Sequence, residues 1–245
     1  MSGRIEKIAV IGAGRMGHGI AQVAAMAGYA VNLVDVDLGA LERALNRIRW
    51  SLGKLADKGV VEVSEVERIL GKIRISTEIA EAVEDVDLAI ESVPEDFEIK
   101  RKVLAKIDEN SPQHTIISTN TSTIPITELA SATNRSDKFI GIHFFNPPQL
   151  VKLVEIIPGE TTSEETVRIA EEFVKSLKKE VLICRKDLPA FVVNRVLFPI
   201  LDEAAWMVKR GEAEIAEIDS AIKYRVGLPM GPFELMDYIG LDVVY

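Results

Sequence analysis

The sequence predicts an α/β chain: a mostly parallel sheet with helices on both faces, followed by an all-helical module. Three observations carry this. Strand-like apolar runs alternate with helix-like segments from Lys7 to Cys184, the pattern of a sheet wound on both sides. The first run, Lys7-Ile8-Ala9-Val10-Ile11, breaks into Gly12-Ala13-Gly14-Arg15-Met16-Gly17, a Gly-x-Gly-x-x-Gly spacing between strand and helix. After Asp187 the strand-like runs stop and long helical patterns take over, so the boundary is placed there, between domains of residues 1–187 and 188–245.

The glycine stretch organises the first domain. Gly12 allows a tight turn out of the strand, Gly14 has no side chain to hold a pyrophosphate away, and Gly17 lets the following helix pack on the strand. The helix then presents free N–H groups and a positive dipole end to phosphates. A second strand, Ala30-Val31-Asn32-Leu33-Val34, ends in Asp35, 18 residues after Gly17, where a ribose-binding acid belongs. Val36-Asp37-Leu38 offers no arginine for a 2′-phosphate, so the reading is a doubly wound Rossmann sheet holding NAD rather than NADP. Asp35 could also cap the next helix.

That helix is expected over residues 37–58. Leu41, Leu45, Ile48, Leu52 and Leu55 form one face; Arg43, Arg47, Arg49, Lys54 and Lys58 form another, either a solvated face or a phosphate-binding patch. A short helix is expected over 63–70, with Ser64 and Glu67 as a capping box. A strand (72–76), a short helix (78–84), a strand (87–93) stopped by Pro94 and a helix (95–110) follow. Further strands are expected over 115–119 and 139–145, then an apolar run over 150–157. A helix over 163–177 capped by Ser163 and Thr162 precedes a last strand over 181–184. Beyond Leu188-Pro189 come a long helix over 190–210 that Pro199 should kink, a second over 215–224 and a third starting at Phe233. Much of that module's surface reads as apolar, suited to a partner subunit, the first domain or further chain.

Composition sets limits on function. The chain has 245 residues, 47% of them hydrophobic, so it can bury a sizeable core. A net charge of −9 argues against a general nucleic-acid or membrane-surface role. No apolar run approaches the ~20 residues needed to span a bilayer, and Met1-Ser2-Gly3-Arg4 leads into the first strand with no apolar signal core. The one cysteine, Cys184, excludes an intrachain disulfide and fits a cytoplasmic location.

In a doubly wound sheet the ligand lies beyond the C-terminal strand ends. The polar clusters 91–95, 120–122 and 143–146 fall there. Of three histidines, His18 reads as structural and His114 as solvated; His143 sits at a strand end before Asn146-Pro147-Pro148. Hydride removal from an alcohol needs a base of near-neutral pKa, and only His143 fits that place. Such a base works better with a carboxylate on its second nitrogen. Glu155, within Leu153-Val154-Glu155-Ile156-Ile157, is the candidate; the alternative is an edge acid facing water.

The ordered set Val10–Gly17, Glu91-Ser92-Val93-Pro94-Glu95, Ser118-Thr119-Asn120-Thr121-Ser122, Gly141-Ile142-His143-Phe144-Phe145-Asn146-Pro147, Leu153-Val154-Glu155-Ile156, Phe191-Val192-Val193-Asn194-Arg195 and Gly231-Pro232-Phe233-Glu234-Leu235 resembles the 3-hydroxyacyl-CoA dehydrogenase family. The resemblance implies NAD-dependent oxidation of (S)-3-hydroxyacyl-CoA to 3-ketoacyl-CoA and the reverse, with His143 as base and Glu155 as its partner. It further implies that Ser122 bonds the substrate oxygen and that Asn194 places substrate or His143. Gly12, Gly14, Met16, Gly17 and Asp35 would hold the cofactor, Glu95, Lys100 and Asn146 would line its nicotinamide half, and Ser51 and Lys58 would contact coenzyme A. Family members usually continue with further helices, so the chain is expected to be truncated, naturally split, or the front of a longer polypeptide. A homodimer through the helical domain and a fused or separate enoyl-CoA hydratase are the implied partners. Three readings compete: a hydroxyacid dehydrogenase with a lysine catalyst, a non-catalytic NAD-binding relative, and a fragment inactive without its missing part.

Overall fold

The computed structural model describes residues 5–241. The readings of Met1-Ser2-Gly3-Arg4 and of the stop at Val243-Val244-Tyr245 lie outside the described residues. Contacts divide the chain into two units, Met1–Phe191 and Val192–Tyr245.

The first unit is built on eight strands: β1 Lys7–Ile11, β2 Ala30–Val34, β3 Ile73–Ser76, β4 Leu88–Glu91, β5 Ile116–Thr119, β6 Phe139–Phe144, β7 Leu153–Pro158 and β8 Glu180–Ile183. They form one sheet in the order β3-β2-β1-β4-β5-β6-β7-β8. All neighbours are parallel except β6 and β7, which run antiparallel. The helices between them are α1 Gly17–Met26, α2 Leu38–Asp57, α3 Glu65–Leu70, α4 Ile79–Val83, α5 Phe97–Asn110, α6 Ile126–Ala130 and α7 Glu164–Ser176.

Strand residues alternate between two apolar layers, as period-2 geometry demands. Ile8, Val10, Leu33, Ile90, Ile140, Ile142 and Phe144 join Ile20, Leu41, Ile48, Leu52 and Phe173 from α1, α2 and α7 on one face. Ala9, Ile11, Ala89, Ile117, Phe139 and Ile157 join Ala82, Leu104, Ile107 and Leu129 from α4, α5 and α6 on the other. The central strands are therefore covered on both sides, which is why they read as unbroken apolar runs rather than alternating ones.

Several local expectations are corrected. Ser64 sits at the N-cap of α3 but in helical backbone, and its side chain makes no cap bond; Glu67 faces Arg49 at 3.5 Å instead of closing a capping box. Thr162 does not cap α7. Its hydroxyl donates to the Phe139 carbonyl at 2.6 Å, while Ser163 accepts from the Thr166 amide at 3.1 Å. Asp37, not Asp35, caps α2, accepting from the Gly39 amide at 2.8 Å. β4 stops at Glu91 rather than running on to 93, and β6 at Phe144 rather than at 145.

The second unit holds α8 Val193–Lys209, α9 Ile215–Ala221, a wide helical turn over Ile222–Val226, and α10 Pro232–Ile239. α8 runs through Pro199. Asp219 of α9 accepts from the Phe233 and Glu234 amides at 2.9 and 3.2 Å and so caps α10. A Cβ at Gly231 would lie 2.2 Å from that carboxylate, which accounts for the glycine. Val196, Ile215, Tyr224, Val226, Tyr238 and Leu241 are exposed, in line with the apolar surface read from the sequence.

The expected helix start at residue 190 is also corrected. Ala190 and Phe191 have φ of 63° and 52°, left-handed backbone that no helix contains, and α8 begins only at Val193. Left-handed backbone costs a residue with a Cβ roughly 1–2 kcal/mol. Ala190→Gly should therefore raise the urea-unfolding stability of the protein by about 1 kcal/mol; an unchanged or lower midpoint would show that Ala190 carries no such strain.

Candidate active site

The strand order reverses about β1, whose neighbours are β2 on one side and β4 on the other. In this topology the crevice at the C-terminal ends of those strands is the dinucleotide site. Gly12 leaves β1 with φ of 106°, and a Cβ there would lie 2.4 Å from the Ser92 carbonyl oxygen. A Cβ at Gly17 would lie 1.7 Å from the Gly12 carbonyl oxygen, so α1 starts as close to the strand as glycine permits. At Gly14, among the described residues, no atom beyond its chain neighbours comes within 4 Å of that position. The chain's own packing thus does not require glycine at 14, which fits a group that approaches from outside, such as a pyrophosphate.

The first turn of α1 carries no acidic residue to oppose an anion. Met16 precedes α1 and packs against the core. His18 Nδ1 lies 2.7 Å from the Gly14 carbonyl. Burial holds its pKa below the ordinary value, the Gly14 bond opposing and the charge of Arg47 assisting. Asp35 ends β2 and accepts from the Ala13 amide at 2.9 Å and from the Asp37 amide at 3.1 Å. Each of its oxygens keeps accepting capacity for ribose hydroxyls.

On the far side of β4, the β6–β7 ladder places His143 directly opposite Glu155. His143 Nδ1 lies 2.8 Å from Glu155 Oε2, and the residues are 5% and 0% exposed. Glu155 is therefore no edge acid facing water. Its other oxygen has the Cys184 thiol at 3.9 Å, and the Phe145 and Phe191 rings flank the imidazole at centroid distances of 4.5 and 5.6 Å. With Nδ1–H donating to the carboxylate, Nε2 keeps its lone pair and is the atom that can take a proton.

Between these two places lies a polar cluster. Glu91 closes β4 fully buried. Its Oε1 accepts from the Val93 amide at 2.7 Å and from Lys100 Nζ at 2.8 Å, and its Oε2 from the Thr119 hydroxyl at 2.6 Å. Lys100, 1% exposed, also reaches Glu95 Oε2 at 3.2 Å and the Val93 carbonyl at 3.2 Å. Glu95 Oε1 receives the Thr121 hydroxyl at 2.5 Å, the Ser122 amide at 2.9 Å and hydroxyl at 3.3 Å, and the Thr123 amide at 3.1 Å and hydroxyl at 3.0 Å. Burial alone would push the Glu95 pKa up. The charge of Lys100 and the bonds from Thr121 and Ser122 outweigh it, and the carboxyl is held below its ordinary value.

Of the remaining expected residues, Asn146 follows β6 half-buried, in a cis bond to Pro147. Asn194 lies in the second unit, at the start of α8. Ser51 is buried on the inner side of α2, whereas Lys58 is exposed just past its C-terminus. On the basic face, Arg43 pairs with Asp37 at 2.9 Å, Arg49 with Glu67 and Lys54 with Asp57, both at 3.5 Å, so part of that charge is already balanced. Sequence reasoning missed Cys184 and Phe191 as neighbours of the site and noted Thr121 only within the polar cluster 120–122. It noted Glu91 only as the start of a polar cluster; an acid closing an otherwise apolar buried run was the available signal.

A dinucleotide crevice with a buried histidine–carboxylate pair at the same sheet edge defines a nicotinamide-dependent oxidoreductase of alcohols and ketones. Profiles described as "3-hydroxyacyl-CoA dehydrogenase, NAD binding domain" and "3-hydroxyacyl-CoA dehydrogenase, C-terminal domain" match residues 7–188 and 191–245. The mitochondrial hydroxyacyl-coenzyme A dehydrogenase of Sus scrofa is 44% identical over 243 residues, covering 97% of this chain and 77% of that one. A probable 3-hydroxybutyryl-CoA dehydrogenase of Bacillus subtilis is 42% identical, with 97% and 82% covered. The crystal structure of (S)-3-hydroxybutyryl-CoA dehydrogenase from Ralstonia eutropha superposes with a TM-score of 0.93 at 38% identity, covering 98% of this chain and 84% of that one. The chain belongs to the 3-hydroxyacyl-CoA dehydrogenase family, and it is an NAD-dependent oxidoreductase of 3-hydroxyacyl-CoA.

The depressed Glu95 pKa has a stability consequence. Its folded value lies below its unfolded one, so the ionised group stabilises the fold above the ordinary 4.5, and that contribution is lost as pH falls through the folded value. Glu95→Gln should lower the urea midpoint at pH 7, with the gap to the unaltered protein closing as pH falls below 4.5 and through the folded value. A gap that is constant with pH would assign the loss to packing instead.

Proposed function

We propose that His143 is the acid/base of this reaction and Glu155 the group that orients it, with (S)-3-hydroxyacyl-CoA as the oxidised substrate. The observation that carries the reading is the 2.8 Å contact between His143 Nδ1 and Glu155 Oε2 inside a buried ladder. NAD, when bound, supplies the hydride acceptor. In oxidation, His143 Nε2 takes the 3-hydroxyl proton, and ionised Glu155 steadies the imidazolium through Nδ1–H. In reduction the protonated ring returns that proton to the 3-keto oxygen.

Ser122 lies on the loop after β5, and its hydroxyl makes the longest of the five bonds to Glu95, at 3.3 Å. It can turn that donor toward the substrate oxygen while its amide keeps the loop anchored. Asn194 is assigned to placing substrate or His143. Gly12, Gly14, Met16, Gly17 and Asp35 are assigned to the adenosine and pyrophosphate half of NAD, and Glu95 and Asn146 to the nicotinamide half. Lys100 acts there through Glu95 rather than by contact, because its ammonium is buried among protein oxygens. Ser51 and Lys58 are the coenzyme A contacts in this reading. The exposed apolar side chains of the second unit support assembly as a homodimer through that unit. A cytoplasmic location and an enoyl-CoA hydratase partner belong to the same reading.

The test is NADH oxidation with acetoacetyl-CoA by the unaltered chain and by His143→Gln. Loss of a general acid costs about 10²- to 10⁴-fold in kcat, with NADH binding retained. Equal rates would remove His143 from the chemistry, and no rate in the unaltered chain would favour the fragment reading.

A further inference from the structure

Lys100 sits where two carboxylates compete for one buried cation. Its ammonium has three donors, and the structure directs them at Glu91 Oε1 (2.8 Å), Glu95 Oε2 (3.2 Å) and the Val93 carbonyl (3.2 Å). Lys100 is 1% exposed and Glu91 0%. An unpaired ammonium or carboxylate so deeply buried would be costly, and each is the other's partner at 2.8 Å. Glu91 is pinned further by the Val93 amide and the Thr119 hydroxyl, which fixes the cation's place against the ends of β4 and β5. Glu95 is the sole member of the three that is half-exposed, and its Oε1 gathers five donors from the 121–123 loop.

We propose that Lys100 is a positioning residue for Ser122: it keeps Glu95 ionised and oriented, and Glu95 in turn holds the 121–123 loop, with Glu91 as the buried anchor of the cation. The inference rests on the reading of Ser122 as a donor to the substrate oxygen. Oε1 can accept from Thr121, Ser122 and Thr123 together only while it carries charge. The charged group facing Glu95 from α5 is Lys100, with Glu91 of β4 behind it; the loop after β5 contributes hydroxyls and amides. Without Lys100, the Glu95 and Glu91 carboxylates would face each other with no cation between them, and their repulsion would push Glu95 out of its place or onto a proton. Glu95 would then lose its hold on the loop. The effect on Ser122 travels through charge and hydrogen bonds and needs no contact between Lys100 and any ligand.

The test combines hydrogen exchange with kinetics. In Lys100→Met the Ser122 and Thr123 amides should lose about tenfold or more of their protection at pH 7 while the β1 amides keep theirs. In a double-mutant cycle with acetoacetyl-CoA and NADH, Lys100→Met and Ser122→Ala should each lower kcat, and the double variant should be no slower than Ser122→Ala alone. Unchanged loop protection, or losses in kcat that multiply, would overturn the proposal. Should Lys100→Met not fold, Glu91→Gln carries the test. It leaves the cation with Glu95 as its one carboxylate partner, so the loss of loop protection on acidification should move to lower pH; a move upward, or none, contradicts the proposal. If Ser122→Ala keeps full activity while Lys100→Met still loosens the loop, the control of the loop stands and the catalytic reading of Ser122 falls.

Discussion

β7 runs against β6, and that one antiparallel pairing makes the site. Opposite residues of adjacent strands share a face, so the register that pairs Ile142 with Ile156 also pairs His143 with Glu155. A slip of one residue would send Glu155 to the opposite side of the sheet, among the apolar residues under α7. The register is itself held by burial. Ile140, Ile142, Phe144, Val154 and Ile156 fill one layer, and Phe139 and Ile157 the other. A buried carboxylate is tolerable here because the imidazole lies 2.8 Å away and the thiol of Cys184 faces its second oxygen. The apolar packing that fixes the strands thus also fixes the place of His143 against Glu155.

The rest of the site hangs on the same sheet edge. Glycines 12 and 17 bring the loop and α1 hard against β1, and Asp35 at the end of β2 holds the Ala13 amide. One strand over, Glu91 ends β4 and begins the chain of charge that runs through Lys100 and Glu95 to Ser122. Two hydrogen-bonded clusters therefore flank the crevice: Glu91–Lys100–Glu95 and His143–Glu155. Each contains a fully buried carboxylate held by partners within the protein, which leaves its geometry set before any ligand arrives.

The legible part of the sequence was the part governed by short-range rules. The bounds of β1 and β2, the span of α2 and the roles of Gly12 and Gly17 follow from apolar periodicity and glycine spacing, and the structure places them as read. The His143–Glu155 pairing was readable because both residues interrupt apolar strands. What the sequence hid is long-range. α6 has five residues, and its N-terminus is held by Asp187, which accepts from the Ile126 and Thr127 amides at 2.9 and 2.6 Å. Nothing near residue 126 announces that. Lys100 lies in a helix rich in charge, where a solvated face is the ordinary reading; its burial depends on Glu91 and Glu95 converging on it. The left-handed pair Ala190–Phe191 was hidden for another reason, because neither residue type favours that backbone.

The central claim is that His143 carries the proton in both directions of the reaction, and the pH dependence of kcat tests it most directly. Oxidation of a 3-hydroxyacyl-CoA by NAD needs the neutral ring, and reduction of a 3-ketoacyl-CoA by NADH needs the protonated one. The account predicts mirror-image limbs, rising with pH for oxidation and falling for reduction, both arising from a single ionisation. Limbs that run the same way in the two directions would contradict it.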